Sequence, residues 1–255
     1  MPSPMPEPFP DSAAPGDFTD SGAAPRRPSP AHGPEGEPFP APDLPSSLAD
    51  LRIALASGRR QFAGLSLSDL DGVDLDLSGC DLRGGCFREA RFGHARFTDA
   101  DGSGCGFQQA LLWGADLSGL RARGSFWQEA DLSGSRLQGA DFSEAQLHRA
   151  CLCGVVAAAS QWQRARLVEA DFRSGLDQLT DLGRADFRGA DLCFALFQGA
   201  NLRQARLSEA SLYGTNFSGA DLRGADLRGC DLRQAQLQGT RLTGAWLQGA
   251  LLPEP

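Results

Sequence analysis

The residues that could carry chemistry in this chain are few. Three histidines stand at positions 32, 94 and 148, and seven cysteines are scattered without a CxxC pair or a Cys/His spacing of the zinc-binding kind. A general base needs a nucleophile and an orienting group within hydrogen-bond reach. His32 lies in a proline-rich stretch, while His94 and His148 fall at outward positions on different coils and faces of the repeat described below. Carboxylates are plentiful but periodic, which points to a structural role rather than acid–base work. No phosphate loop appears, and the glycines recur at a spacing that serves turns. No catalytic, cofactor-binding or metal-ligating residue is nominated, no cofactor is expected, and the chain is read as a non-enzyme.

One acid breaks the pattern. In "DFRSGLDQLTDLGRADF" (171–187), Phe172, Leu182 and Phe187 keep a five-residue phase, and the slot between them falls on Asp177. An unpaired buried carboxylate is costly. Asp177 is therefore expected to point outward, at a bulge or rotation of the chain, with Leu176 or Leu179 taking its place.

The elements that would position these residues follow from the composition. Residues 1–45 hold 14 of the 16 prolines and too little apolar surface to offset chain entropy, so they read as a disordered tail. Its "PRRPSP" (25–30) has a PxxP spacing that a proline-reading domain could use, although such matches arise by chance in so proline-rich a tail. Residues 46–60 read as a short helix, N-capped by Ser46 or Ser47, striped with Leu48, Leu51 and Leu55, and stopped at Gly58. From about residue 61 to Leu252 a repeat takes over, and residues 253–255 form a short tail. Counted from Leu82 in steps of five there are 35 slots, of which 29 are Leu or Phe. Ala usually lies two residues before the slot, Asp or Asn one before, and Gly often two after, as in "GADLRGADLRGCDLR" (219–233).

A period of five fits neither helix nor simple strand. It fits a chain that turns a corner every five residues, so that four corners close a coil of about 20 residues and coils stack about 4.8 Å apart. "ADLRG", "ADFRG" and "ANLRQ" resemble the pentapeptide-repeat family over roughly residues 62–252. The resemblance implies an all-β solenoid, a right-handed quadrilateral β-helix of about nine coils and about 45 Å. The helix at 46–60 is expected to cap its first coil. Near the start, "GLSLSDLDGVDLDLSG" (64–79) offers two phases, Leu65/Leu70/Leu75 and Leu67/Leu77, and leaves the first register open.

Uniform 20-residue coils would convert sequence into faces. One face would carry Asp131, Asp171, Asp191 and Asp231 in a single column. In the family this slot supports the turns by side-chain hydrogen bonds; the other reading is an acidic stripe mimicking nucleic-acid phosphates. A second face would stack Leu117, Leu137, Ala157, Asp177, Phe197 and Phe217, losing its Leu/Phe slot in two successive coils. Val156, Ala158, Leu176, Leu179 and Leu196 would then form a candidate partner patch, unless Leu176 or Leu179 turns inward beside Ala157. A third face would set Gly102 and Ala122 above Phe142 and Trp162, with "DADGSGCG" (99–106) as a candidate loop. Trp127 and Trp162 occupy core slots, whereas Trp113, Tyr213 and Trp246 fall in outward slots as secondary contact candidates.

The net charge is −8, and every one of the 24 basic residues is Arg. From residue 61 on, 24 acids face 19 arginines, a nearly balanced surface that argues against direct nucleic-acid binding. The opening "MPSPMPEPFP" lacks the basic and apolar regions of a secretory leader, and no run of about 18 apolar residues exists to span a membrane. The reading is a cytoplasmic, non-enzymatic interaction rod for an unidentified protein partner. The alternative implied by the resemblance is a DNA mimic that binds type II topoisomerase. Against it, the sequence carries nothing resembling the C-terminal helical dimer module of that group, and it has many outward arginines.

Overall fold

The computed structural model describes residues 43–175 and 178–253. The chain divides into two units, Met1–Pro42 and Asp43–Pro255. The first unit, which contains nearly all of the proline-rich tail and His32, lies outside the described residues, as do Leu176 and Asp177.

The second unit opens with helix α1, Leu48–Ala56. Ser47 is the residue that caps it: its hydroxyl oxygen accepts from the Asp50 N–H at 3.2 Å. The Asp50 carboxylate in turn accepts from the Ser47 and Ser46 hydroxyls at 2.8 and 2.9 Å. Gly58, at φ +86°, follows the helix in the left-handed region. Leu51 is fully buried, and Leu48, Ala54 and Leu55 pack against the same core. The helix thus lays its apolar stripe on the start of the β-helix.

The β-helix is built from one short parallel bridge per face per coil. A typical column runs Gln61↔Asp81↔Asp101↔Arg121. Its bonds alternate direction: the Leu82 N–H donates to Asp101 O at 2.8 Å, and the Asp101 N–H donates to Cys80 O at 2.8 Å. Between faces the chain turns a corner closed by a local bond, such as the Gly85 N–H to Leu82 O at 2.9 Å. The residue two after the slot must sit at positive φ to make this turn, and Gly84 does so at +67°. Where that residue is Glu89, His94 or Phe194, the same conformation is held at +56° to +59°, a strain of about 1 kcal/mol or more each.

The interior is a stack of Leu and Phe with Ala between. Both phases of the first coil are used: Phe62, Leu67 and Leu77 fill slots, while Leu65, Leu70 and Leu75 take the positions that later coils give to Ala. Rings stack along the axis, for example Phe107 on Trp127 at 4.2 Å and Phe172 on Phe197 at 4.8 Å. Each core tryptophan follows a small slot residue in its own coil, Ala122 before Trp127 and Ala157 before Trp162. Volume is therefore balanced across neighbouring faces. Each indole N–H is also satisfied inside the core, Trp127 by Ser125 Oγ and Trp162 by Ser160 Oγ, both at 2.6 Å. The expected loop at 99–106 does not form; Gly102 is buried, and the bridges of Asp101 and Gly106 keep the regular register.

The expectation of uniform coils fails once. Up to residue 171 bridged residues lie 20 apart, but then Val156 pairs with Asp181, Gln161 with Asp186, Arg166 with Asp191 and Asp171 with Leu196, each 25 apart. Asp181↔Asn201 restores the step of 20. One whole pentapeptide has left the coil. Because five residues preserve the phase, the sequence repeat runs on unbroken. Leu182, not Asp177, therefore follows Ala157, and Phe197 and Phe217 continue the face of Phe172. The aspartates assigned to one column separate likewise: Asp131 and Asp171 share a face, and Asp191 and Asp231 lie on another.

Replacing Leu51 by Ala should lower unfolding free energy by about 2–5 kcal/mol in urea. The neighbouring Ile53→Ala, at a position 70% exposed, should stay within about 0.5 kcal/mol. Equal effects would refute the capping role of α1.

Candidate interaction site

The displaced pentapeptide sits at one corner, and its ends are pinned by two hydroxyls. Thr180, fully buried in the position usually held by Ala, donates from Oγ1 to Arg173 O at 2.9 Å and accepts from the Gly154 N–H at 2.9 Å. Ser174 Oγ donates to Gly199 O at 3.0 Å and accepts from the Thr180 N–H at 3.1 Å. Inside the loop the Gly175 N–H donates to Gln178 O at 2.8 Å. The chain thus leaves and re-enters the coil through bonds that stand in for the missing corner turn.

The loop folds back over preceding coils because the corner there is bare. Gly114, Gly134 and Gly154 form a column of glycines. A Cβ on Gly154 would lie 3.4 Å from Gln178 Cβ and Cγ, and one on Gly134 3.4 Å from Gln178 Oε1. Gln178 therefore lies along the glycine floor. With Trp113, Ser133, Cys153 and Gly175 these residues line an open groove of about 440 Å³. Trp113 stands at its far end, 39% exposed and edge-on to His94 with ring centroids 4.5 Å apart.

The sequence candidates fall around this corner with corrections. Leu179 does not turn inward to fill the space beside Ala157; it is 69% exposed on the loop. Leu176 and Asp177 lie outside the described residues. Val156 and Ala158 are part-exposed on the face that follows the loop, beside Asp181. Leu196 belongs to the other face, bridged to Asp171, so it does not share a column with Val156 as uniform coils implied. The three outward aromatics lie on three different faces. Trp113 joins the groove, Tyr213 packs edge-on to Phe194 at 5.4 Å, and Trp246 lies under the Arg228 guanidinium at 5.1 Å. Phe194 was not anticipated; its signal was an aromatic residue where the repeat usually places Gly.

The aspartates resolve as structural. Asp76, Asp131 and Asp141 each accept on Oδ1 from the N–H two residues on, at 2.9–3.0 Å. Where Arg follows the slot, it also grips the carboxylate: Arg83–Asp81 at 2.6 Å, Arg188–Asp186 at 2.7 Å, Arg228–Asp226 at 2.8 Å and Arg233–Asp231 at 2.7 Å. In "ADLRG" the alanine is thus a small filler, the aspartate braces the turn and the leucine builds the core. The arginine supplies the counter-charge, and the glycine makes the left-handed corner. Hydrogen bonds from these arginines hold the carboxyls of Asp81, Asp226 and Asp231 below the ordinary range, Asp231 down to about 2. At Asp186 burial pushes upward, but Arg188 and the N–H bond outweigh it. Among the described residues no cluster of three or more His, Cys, Asp or Glu could hold a metal ion.

The model of the pentapeptide repeats matches in eight copies, over residues 76–114, 128–156, 185–224 and 215–252. The stretch between 156 and 185, which contains the loop, is left unmatched. The crystal structure of HetL, a pentapeptide repeat protein involved in heterocyst differentiation regulation from the cyanobacterium Nostoc sp. strain PCC 7120, is similar. It is 33% identical over 80% of this chain and 94% of HetL, with a TM-score of 0.66. Full-length QnrB1, a plasmid-mediated fluoroquinolone resistance protein, is 20% identical over 72% of this chain and 92% of its own, with a TM-score of 0.31. No curated protein sequence matches the chain.

Thr180→Val should destabilise by about 0.5–1.5 kcal/mol, because the Gly154 N–H and Arg173 carbonyl would keep only their longer mutual bond of 3.2 Å. Hydrogen exchange at Gly154 should rise; an unchanged rate would show that the hydroxyl does not anchor the loop. The depressed aspartates also set an acid limit. Their folded pKa lies below the unfolded value of about 3.9, so the stabilisation is present above that pH and is lost as pH falls toward the folded values. The thermal midpoint should be flat from pH 7 to about 5 and decline from about 4 toward 2.

Proposed function

Because the chain belongs to the pentapeptide-repeat family, we propose that it is a non-enzymatic, rod-shaped interaction module that presents one corner to a protein partner. The observation that carries this reading is the pentapeptide displaced from the coil. It holds Leu179 in solvent, at 69% exposure, beside a glycine-floored groove with Trp113 at its end. A half-exposed tryptophan at the end of a shallow groove is a residue type enriched in contact hot spots, and the exposed leucine adds apolar surface beside it. Val156, Ala158 and Leu196 border the same corner on its two faces and extend the apolar rim.

HetL, described as involved in regulating differentiation, supports a regulatory binding role over an enzymatic one. No helix among the described residues is long and apolar enough to cross a membrane. Direct nucleic-acid contact is not part of the proposal, since the outward arginines are largely committed to aspartate and glutamate partners. DNA mimicry toward a type II topoisomerase ranks second, because the 19 arginines among 24 acids from residue 61 on break up the acidic surface that a phosphate mimic needs.

Deleting residues 175–179 tests the proposal cleanly. Ser174 would then be followed by Thr180, giving "DFRSTDL", a regular repeat with a uniform step of 20. The variant should keep its unfolding midpoint within a few degrees. Its capture of partners from native extract, scored against wild type by quantitative mass spectrometry, should lose the specific set, and Leu179→Asp should do the same. Retention of that set by both variants would sink the proposal. Potent inhibition in a gyrase supercoiling assay, abolished by neutralising the Asp columns, would bring the second reading forward.

A further inference from the structure

Cys151 and Cys153 flank the buried core residue Leu152 and are both part-exposed on one face, and Cys153 also lines the groove. Both are free and part-exposed, and the Cys153 thiol also reaches the Asp171 carbonyl oxygen at 3.8 Å. No other cysteine has a second thiol beside it on its own face segment. We propose that this pair is a chelating site for a soft, thiophilic cation that accepts two-coordinate thiolate ligation, with Cu(I) as the fitting class.

The backbone decides between chelation and disulfide formation. The segment is pinned from both sides: the Cys151 N–H donates to Ala130 O at 2.9 Å, and the Leu152 N–H to Asp171 O at 2.7 Å. Cys151 lies on the bridged segment and Cys153 opens the corner turn; at the strand rise, residues two apart hold their Cβ atoms about 6.6 Å apart. A disulfide needs about 3.5–4.5 Å, so the pair cannot close without breaking ladder bonds. A metal between the two sulfurs, with metal–thiolate bonds of about 2.3 Å, spans a sulfur separation of up to about 4.6 Å. Two side chains converging from such a segment meet that span without moving the backbone.

The surroundings select the charge and type of ion. Asp131 and Asp171 occupy the bridge positions on either side of Cys151; Arg173 offsets the charge of Asp171, so Asp131 supplies the local negative charge that favours a cation over an anionic oxidant. Neither is a ready third ligand. Asp171 is gripped by Arg173 at 2.7 Å, and Asp131 Oδ1 accepts from the Ser133 N–H at 2.9 Å. With two sulfurs and no further donor cluster among the described residues, a tetrahedral zinc site is not available. Soft thiolates with low coordination suit Cu(I) instead. On binding, each thiol releases its proton to solvent and both sulfurs donate to the ion, leaving one net negative charge on the complex.

The full chain, fully reduced under anaerobic conditions, should be titrated with Cu(I) in competition with a chromogenic Cu(I) chelator, and with Ag(I) as a redox-inert probe. One equivalent of each ion should be retained against competition, with two protons released. Cys151→Ser and Cys153→Ser should each lose that equivalent while keeping the wild-type unfolding midpoint. Cys86→Ser and Cys193→Ser, which remove part-exposed single thiols, should retain it. Retention by either of the first two variants, or loss by either of the last two, overturns the assignment. So does a mass loss of two hydrogens on mild diamide treatment of the folded wild type but not of Cys151→Ser, since it would show that the pair closes as a disulfide.

Discussion

The corner turn is the constraint on which everything else rests. A chain that must turn a corner every five residues needs a left-handed residue at nearly every corner, a residue that points inward between corners, and a small one where two faces meet. Once those are set, ladder bonds to the coils on either side satisfy the backbone, and the side chains outside are free to vary. The core is thus a by-product of the turn spacing rather than its cause. Substituting Glu or His for Gly at a corner costs local strain, but the bonds to neighbouring coils hold the conformation in place.

The same constraint explains why outward charges are so regular. Aspartate before the core residue lies within reach of the turn N–H, and arginine after it lies within reach of that aspartate. The pairing is local, between residues two apart, and repeats wherever the motif does. Exposed pairs of this type contribute about 0–1 kcal/mol each. Their cumulative effect is to commit surface charge to the rod itself, and the corner at residues 175–179 is set apart by its widened bridge spacing.

Much of this was readable from residue order. The core slots, the cap, the tryptophans in the interior and the bracing role of aspartate all follow from a period of five and the chemistry of each position. The faces were less legible. A step of five is visible in the sequence, but a step of 20 is not, because the chain carries no marker for which corner is the fourth. Ala157 and Asp177 looked like one defect on one face. Ala157 is small because Trp162 follows it in the same coil, and the slot at 177 falls in the stretch where the bridge step widens from 20 to 25. Trp113 reached the groove only through the coil register, three coils before the loop, and no local pattern near Trp113 or Leu179 connects the two.

The displaced pentapeptide also says how this architecture tolerates changes in length. A gain of five residues at a corner can be shed as a loop, a loss of five moves the chain on by one face, and in both cases every downstream leucine still faces inward. Gain or loss of any other number would turn the remaining interior outward from that point to the end. Length variation in such a chain is therefore quantised, and its loops are expected to come in whole units. A protein built this way can acquire a protruding handle in one genetic step without disturbing the shaft that bears it.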